Sequence, residues 1–157
     1  MKIIGKTLFA LTCLSAVSLI YTQAAAGSWR PPASTWGPMS NTAASITGAI
    51  KITDDRLSFE NGKSIGLVLV DKNSAQHTDL YRVESGANPE LFNGNYLCDE
   101  RKSVDFIYVE AQDGGKSLTL TMINSSEPLT LASLGYSAQS GMPKGVCATY
   151  GYMPGRD

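Results

Sequence analysis

Histidine is almost missing from this 157-residue chain; the single one is His77. A serine triad needs a histidine base, so such chemistry would rest on that side chain alone. No G-x-S-x-G elbow accompanies it. A basic excess is missing as well. The 13 Lys and Arg residues face 14 Asp and Glu, a formal net charge of −1. With no basic stripe, nucleic acid is excluded as a partner class, and so is a polybasic grip on anionic membrane. No C-x-x-C pair occurs, which leaves zinc and dithiol exchange little footing. No phosphate-cradling loop precedes a helix; Gly114-Gly115 leads into a strand-like run instead and reads as a hairpin turn. There is no repeat of fixed period. The longest apolar run, Leu8 to Ile20, is shorter than the roughly 20 residues that span a bilayer.

What is present begins with an address. "MKIIGKTLFALTCLSAVSLIYTQAAA" carries Lys2 and Lys6, an apolar stretch, and the small residues Ala24-Ala25-Ala26. This reads as a secretory signal peptide over residues 1–26, so export to the periplasm or the cell exterior is expected. Its removal takes Lys2 and Lys6 from 13 basic residues, leaving 11 against 14 acids, a net charge of −3. No transmembrane segment is expected after that cleavage. About 130 residues remain, the usual size of one domain. Cys13 leaves with the signal, so Cys98 and Cys147 are left. An even count in an exported chain reads first as a disulfide. The bridge would close a loop of about 50 residues, worth roughly 4 kcal/mol on the chain-entropy account. Free thiols or a reactive Cys98 are the alternatives. Asp99 and Glu100 beside Cys98 disfavour a thiolate, although Arg101 and Lys102 are near.

"GSWRPPASTWGPMSNTA" holds Trp29, Trp36 and three prolines. Residues 27–43 therefore read as an extended arm, because proline removes donors and biases its neighbour toward extended backbone. Residues 44–157 read as the β domain. "ASITGAIKIT" places Ile46, Ile50 and Ile52 on one face. "RLSFE" alternates, and Asn61-Gly62 marks a hairpin. "KSIGLVLV" is apolar on both faces, as in a central or doubly covered strand. "LYRVE", a brief "NYLC", "SVDFIYVEA", "KSLTLTMI" and "VCATYGYM" follow, with "LTLASL" open between strand and helical turn. Seven or eight strands with short spacers predict an all-β fold. A small antiparallel barrel is preferred, since closure removes exposed edges; a β-sandwich is the alternative.

Catalytic chemistry has thin support among these elements. Asp71, Asn73, Ala75, His77 and Asp79 alternate like a calcium loop. However, Ala75, Gln76 and Arg82 stand where an oxygen ligand, a glycine and a glutamate are needed. Glu60, Glu84, Asp105 and Glu110 lie in or beside strands. Asp105 and Glu110 fall on opposite faces of one strand, which rules out a shared acid pair. Two aromatic pairs, Phe106/Tyr108 and Tyr150/Tyr152, each share a face and would line a core or a small apolar cup if they point inward.

The segments "SITGAIKIT", "LYRV", "LFNGNYLC" and "GVCATYGY" resemble a family of small exported bacterial proteins of unknown function. The resemblance covers most of the chain after the signal and implies one β-rich domain with a Cys98–Cys147 pairing. It brings no catalytic residues. In outline the chain is also similar to the membrane-bound inhibitors of C-type lysozyme, an analogy of architecture only. The expectation is a noncatalytic binding module without metal or cofactor. Its partner would be a protein, an envelope component or a small apolar ligand, and Trp29, Trp36, Leu91 and Phe92 are the candidate contacts. The alternatives are an inhibitor of a hydrolase such as lysozyme and a small hydrolase using His77.

Overall fold

A computed structural model describes residues 35–134 and 143–155. Its strands are β1 (Trp36–Pro38), β2 (Ile50–Ile52), β3 (Arg56–Phe59), β4 (Ser64–Asn73), β5 (Thr78–Val83), β6 (Phe106–Gln112), β7 (Ser117–Ile123) and β8 (Val146–Pro154). They form one closed antiparallel barrel in chain order. Closure is made by β1, which pairs with β2 through Trp36 and Ile50 and with β8 through Trp36–Pro154 and Pro38–Tyr152. The barrel is thus the architecture, and the sandwich is not.

The eight strands are not quite those expected. The last stretch of the supposed arm supplies β1, because Pro38 sits at a strand end where its missing N–H costs no ladder bond. "NYLC" is irregular, and "LTLASL" ends in a turn at 131–134. The expected strand over 44–53 begins only at Ile50. Before it lies a helix, α1 (Asn41–Ile46), capped by Ser40, whose Oγ accepts from the Ala43 N–H at 3.1 Å. A six-residue helix shows too little of the 3.6 period to be seen in a sequence. Serine at the N-cap was its one available signal.

The barrel interior is filled. Trp36, Leu57, Leu118, Leu120, Met122, Tyr150 and Tyr152 are all at most 1% exposed and belong to one apolar cluster. One end is closed by α1 together with the long 84–105 loop, which sends Leu91, Leu97 and Val104 into that cluster. Polar bonds fix this cap. Asn93 Nδ2 donates to the Ser45 carbonyl at 3.1 Å. The Asn88 carboxamide accepts from the Leu97 N–H and donates to the carbonyls of Asp99 and Lys102. Tyr150 donates its hydroxyl proton to the Leu97 carbonyl at 2.8 Å, and the Tyr152 hydroxyl shares a proton with Thr47 Oγ1 at 2.7 Å. Burial pushes the Tyr150 hydroxyl up to about 12 and raises that of Tyr152 further.

Candidate functional site

The cysteines form the expected bridge: Cys98 and Cys147 are linked, with their Cα atoms 5.4 Å apart. The bond ties the 84–105 cap to the start of β8. This gives Cys98 a structural setting, on the same cap that Asn88 and Tyr150 hold.

The aromatic pair of β8 points inward, but Phe106 and Tyr108 do not. They face out of the barrel and join Leu80, Ile123 and Leu134 in a second apolar cluster, flanked by Leu129, Leu131 and Val146. The inward positions of β6 are taken by Ile107, Val109 and Ala111. The inward condition therefore holds for the β8 pair and not for the β6 pair, whose face also carries Glu110 and Gln112 while the other face is wholly apolar.

Residues 124–134 form a strap over this outward cluster. Its start is held by Asp105. That carboxylate accepts from Ser103 Oγ at 2.8 Å, Asn124 Nδ2 at 3.0 Å and the Ser125 N–H at 2.9 Å. Its far end is held by Asp71, whose carboxylate accepts from the Leu131 N–H at 2.9 Å and the Lys72 N–H at 2.8 Å. Two strand-end acids therefore bind a loop to the wall of the barrel.

The strap leaves part of the wall uncovered. Across the sheet, Val68 of β4, Arg82 of β5 and Phe106 of β6 stand in one cross-strand row. Phe106 is buried, whereas Val68 and Arg82 are exposed. A register shift between Leu69 and Asp71 makes Val70 an extra residue on β4. Val68, Leu69 and Val70 are 38%, 40% and 47% exposed, respectively. Beside them runs a groove of about 560 Å³, with Val70, Arg82, Phe106, Glu127, Pro128 and Leu129 among its lining residues. A second groove, of about 650 Å³, lies against the same 125–129 segment and is lined by Ser103, Asn124, Ser133 and Lys144, among others. Of the two readings of "KSIGLVLV", central or doubly covered, the first holds: β4 pairs with β3 and β5, and one face is covered, with Ile65 and Leu67 in the core.

The contact residues named from sequence do not meet here. Trp36 is fully buried in β1 and Leu91 is 6% exposed in the cap, so both serve packing. Phe92 is partly exposed, with its ring against Gly48. Trp29 and residues 1–26, read above as a signal peptide, lie outside the described residues. His77 sits in the β4–β5 turn with φ 54°, and its carbonyl accepts from the Ala111 N–H. Among the described residues no group of three or more His, Cys, Asp or Glu side chains could hold a metal ion, and no helix is long and apolar enough to cross a membrane. Val68, Val70 and Arg82 went unremarked in the sequence. The signal was there in "GLVLVDKN", an apolar run that turns polar without a break in the strand.

No protein-family model matches the chain, and no curated protein or solved structure shows significant similarity to it.

Proposed function

We propose that this chain is a noncatalytic, exported binding module of the periplasm or cell exterior, which engages a protein or envelope component through the outside of its barrel. One observation carries this reading: Val68 and Val70 of β4 stand exposed on the outer wall, and Val70 lines a groove walled by a pinned loop. An exposed apolar patch with a polar rim marks a contact surface. The interior offers less room for a ligand, since its largest side chains are fully buried there. The leader-like first 26 residues and the disulfide favour an oxidising compartment. The strap, held by Asp71 and Asp105, gives the surface the rigidity that a recognition site needs.

The test is native mass spectrometry of the protein purified from its own source, wild type against Val70→Asp. A bound mass carried by the wild type and absent from the variant supports the reading. A bound mass that persists in Val70→Asp places binding elsewhere, and a source-purified protein that turns over a substrate of its own removes the noncatalytic reading.

A further inference from the structure

We infer that the occupant of the β4 face and its groove is a second copy of this chain, arranged by a two-fold axis; this rests on the reading of that face as a contact surface. The inference comes from where the charges sit. Arg82 is exposed on the groove floor, and its guanidinium has no hydrogen bond or ion pair among the described residues. Glu127 is exposed on the strap side of the same groove, and its carboxylate likewise has none. The third charged residue of the lining, Asp105, already accepts three hydrogen bonds, so it does not compete for Arg82.

One groove therefore presents one available cation and one available anion beside an apolar strip. A partner surface of a single sign would be attracted by one of them and repelled by the other. A second copy turned through a two-fold brings its Glu127 toward Arg82 and its Arg82 toward Glu127. Both charges are answered by the same contact, which is what a self-complementary isologous interface requires. The apolar residues Val68 and Val70 then meet their own counterparts. A head-to-tail contact would satisfy one pair and leave the other open.

The contact is made by faces rather than by strand edges. Beyond Gly66, β4 has no ladder partner on its β3 side among the described residues. That edge is blunted: the Leu67 N–H donates to the Asp55 carbonyl at 2.8 Å, Val70 is bulged, and the Lys72 N–H is taken by Asp71. A bulge and a charged end are the usual protections of an open edge. Two half-exposed valines and a shallow groove lie at the small end of protein interfaces, so the dimer exchanges with monomer on dilution.

Sedimentation velocity of the full purified chain over a wide concentration range tests this. A concentration-dependent passage from monomer to dimer is expected. Val70→Asp abolishes it, Arg82→Glu weakens it by about 10-fold or more, and Arg82→Glu with Glu127→Arg restores it. All these positions are exposed, and a thermal melt of each variant confirms that it folds. A chain that stays monomeric throughout overturns the inference, as does a dimer insensitive to Val70→Asp and Arg82→Glu, or growth into open polymers. If the pure chain is monomeric while protein from its source carries a foreign mass that Val70→Asp removes, self-pairing is wrong and the contact-surface reading stands.

Discussion

Two aromatic pairs, each spaced two residues apart on one strand, end on opposite sides of the barrel wall. Tyr150 and Tyr152 point into the barrel and anchor its cap through their hydroxyls. Phe106 and Tyr108 point out and are covered by the strap. The difference lies in the other face of each strand. On β8, Thr149, Gly151 and Met153 alternate with the tyrosines and tolerate solvent. On β6, Ile107, Val109 and Ala111 are apolar too, and they fill the interior. A strand that is apolar on both faces needs two covers, and the second one here is a loop pinned by two carboxylates. β4 is the same kind of strand, and its outward residues have no such cover.

If the interior is the principal core and the strap cluster a satellite, truncation should separate them. Trp36→Ala, in a site of zero exposure, is expected to cost about 4 kcal/mol, within the range for large aromatic residues in cores. Phe106→Ala in the smaller outer cluster should cost less, about 2 kcal/mol, because the strap can settle onto the shortened side chain. Urea denaturation of both variants measures the gap. Equal losses would make the strap an integral part of one core and dissolve the distinction. The next largest effect belongs to the cap. Replacing Cys98 and Cys147 together by alanine should cost about 3 kcal/mol. Hydrogen exchange should accelerate first at Leu97 and its neighbours and leave the strap at Ser125 and Leu131 unchanged. Uniform acceleration would instead mean that cap and strap open together.

How far this was readable beforehand depends on the element. Strands with one polar face, such as "KSLTLTMI", declare both their position and their orientation, because only one face can be inside. An all-β antiparallel fold follows from many such strands with short turns, with the barrel preferred over a sandwich, and an even cysteine count pointed first to the disulfide. Orientation is harder to read at β4, where both faces are apolar and alternation carries no sign; on β6 the polar Glu110 and Gln112 mark the outward face, against the pull of the large Phe106 and Tyr108 beside them. β1 was lost because three prolines around two tryptophans look like an arm until a closing partner, β8, is present to pair with it. The surface site was the least legible part. Asp71 and Asp105 act on backbone N–H groups some 20 or more positions away, a relation that no local pattern encodes. Arg82 matters through its cross-strand neighbours Val68 and Phe106, which only the register reveals.

The inward tyrosines allow a finer test of the same contrast through pH. Both hydroxyls are raised above the ordinary tyrosine value of 10.0 in the folded protein by burial. A raised value means that the folded state keeps its protons while the unfolded chain releases them. Stability from this source is therefore fully present below about pH 10. It falls as pH rises through the window between there and the folded value of about 12 for Tyr150. Tyr150→Phe should flatten that alkaline loss, at the cost of its bond to Leu97. Urea melts of wild type and Tyr150→Phe at pH 8, about 10 and about 11 measure this; an unchanged slope in Tyr150→Phe would mean that the cap opens before the tyrosine titrates.

The smallest effect is the most diagnostic of an uncovered face. Valine to threonine keeps branching and volume but adds a hydroxyl, so its cost reports whether the site is dry. Val109 points into the barrel from β6 and is 6% exposed. There the new hydroxyl must be buried among aliphatic neighbours, and Val109→Thr should cost about 1–3 kcal/mol. Val68 and Val70 on β4 make the same change in contact with water. Val68→Thr and Val70→Thr should each fall within about 0.5 kcal/mol of wild type when measured on dilute, monomeric protein. The strand propensity of threonine compensates for the lost apolar surface there. A loss at Val70 equal to that at Val109 would show that β4 has a second cover built from the chain itself. The exposed strip would then be part of the fold and not a surface kept for another molecule.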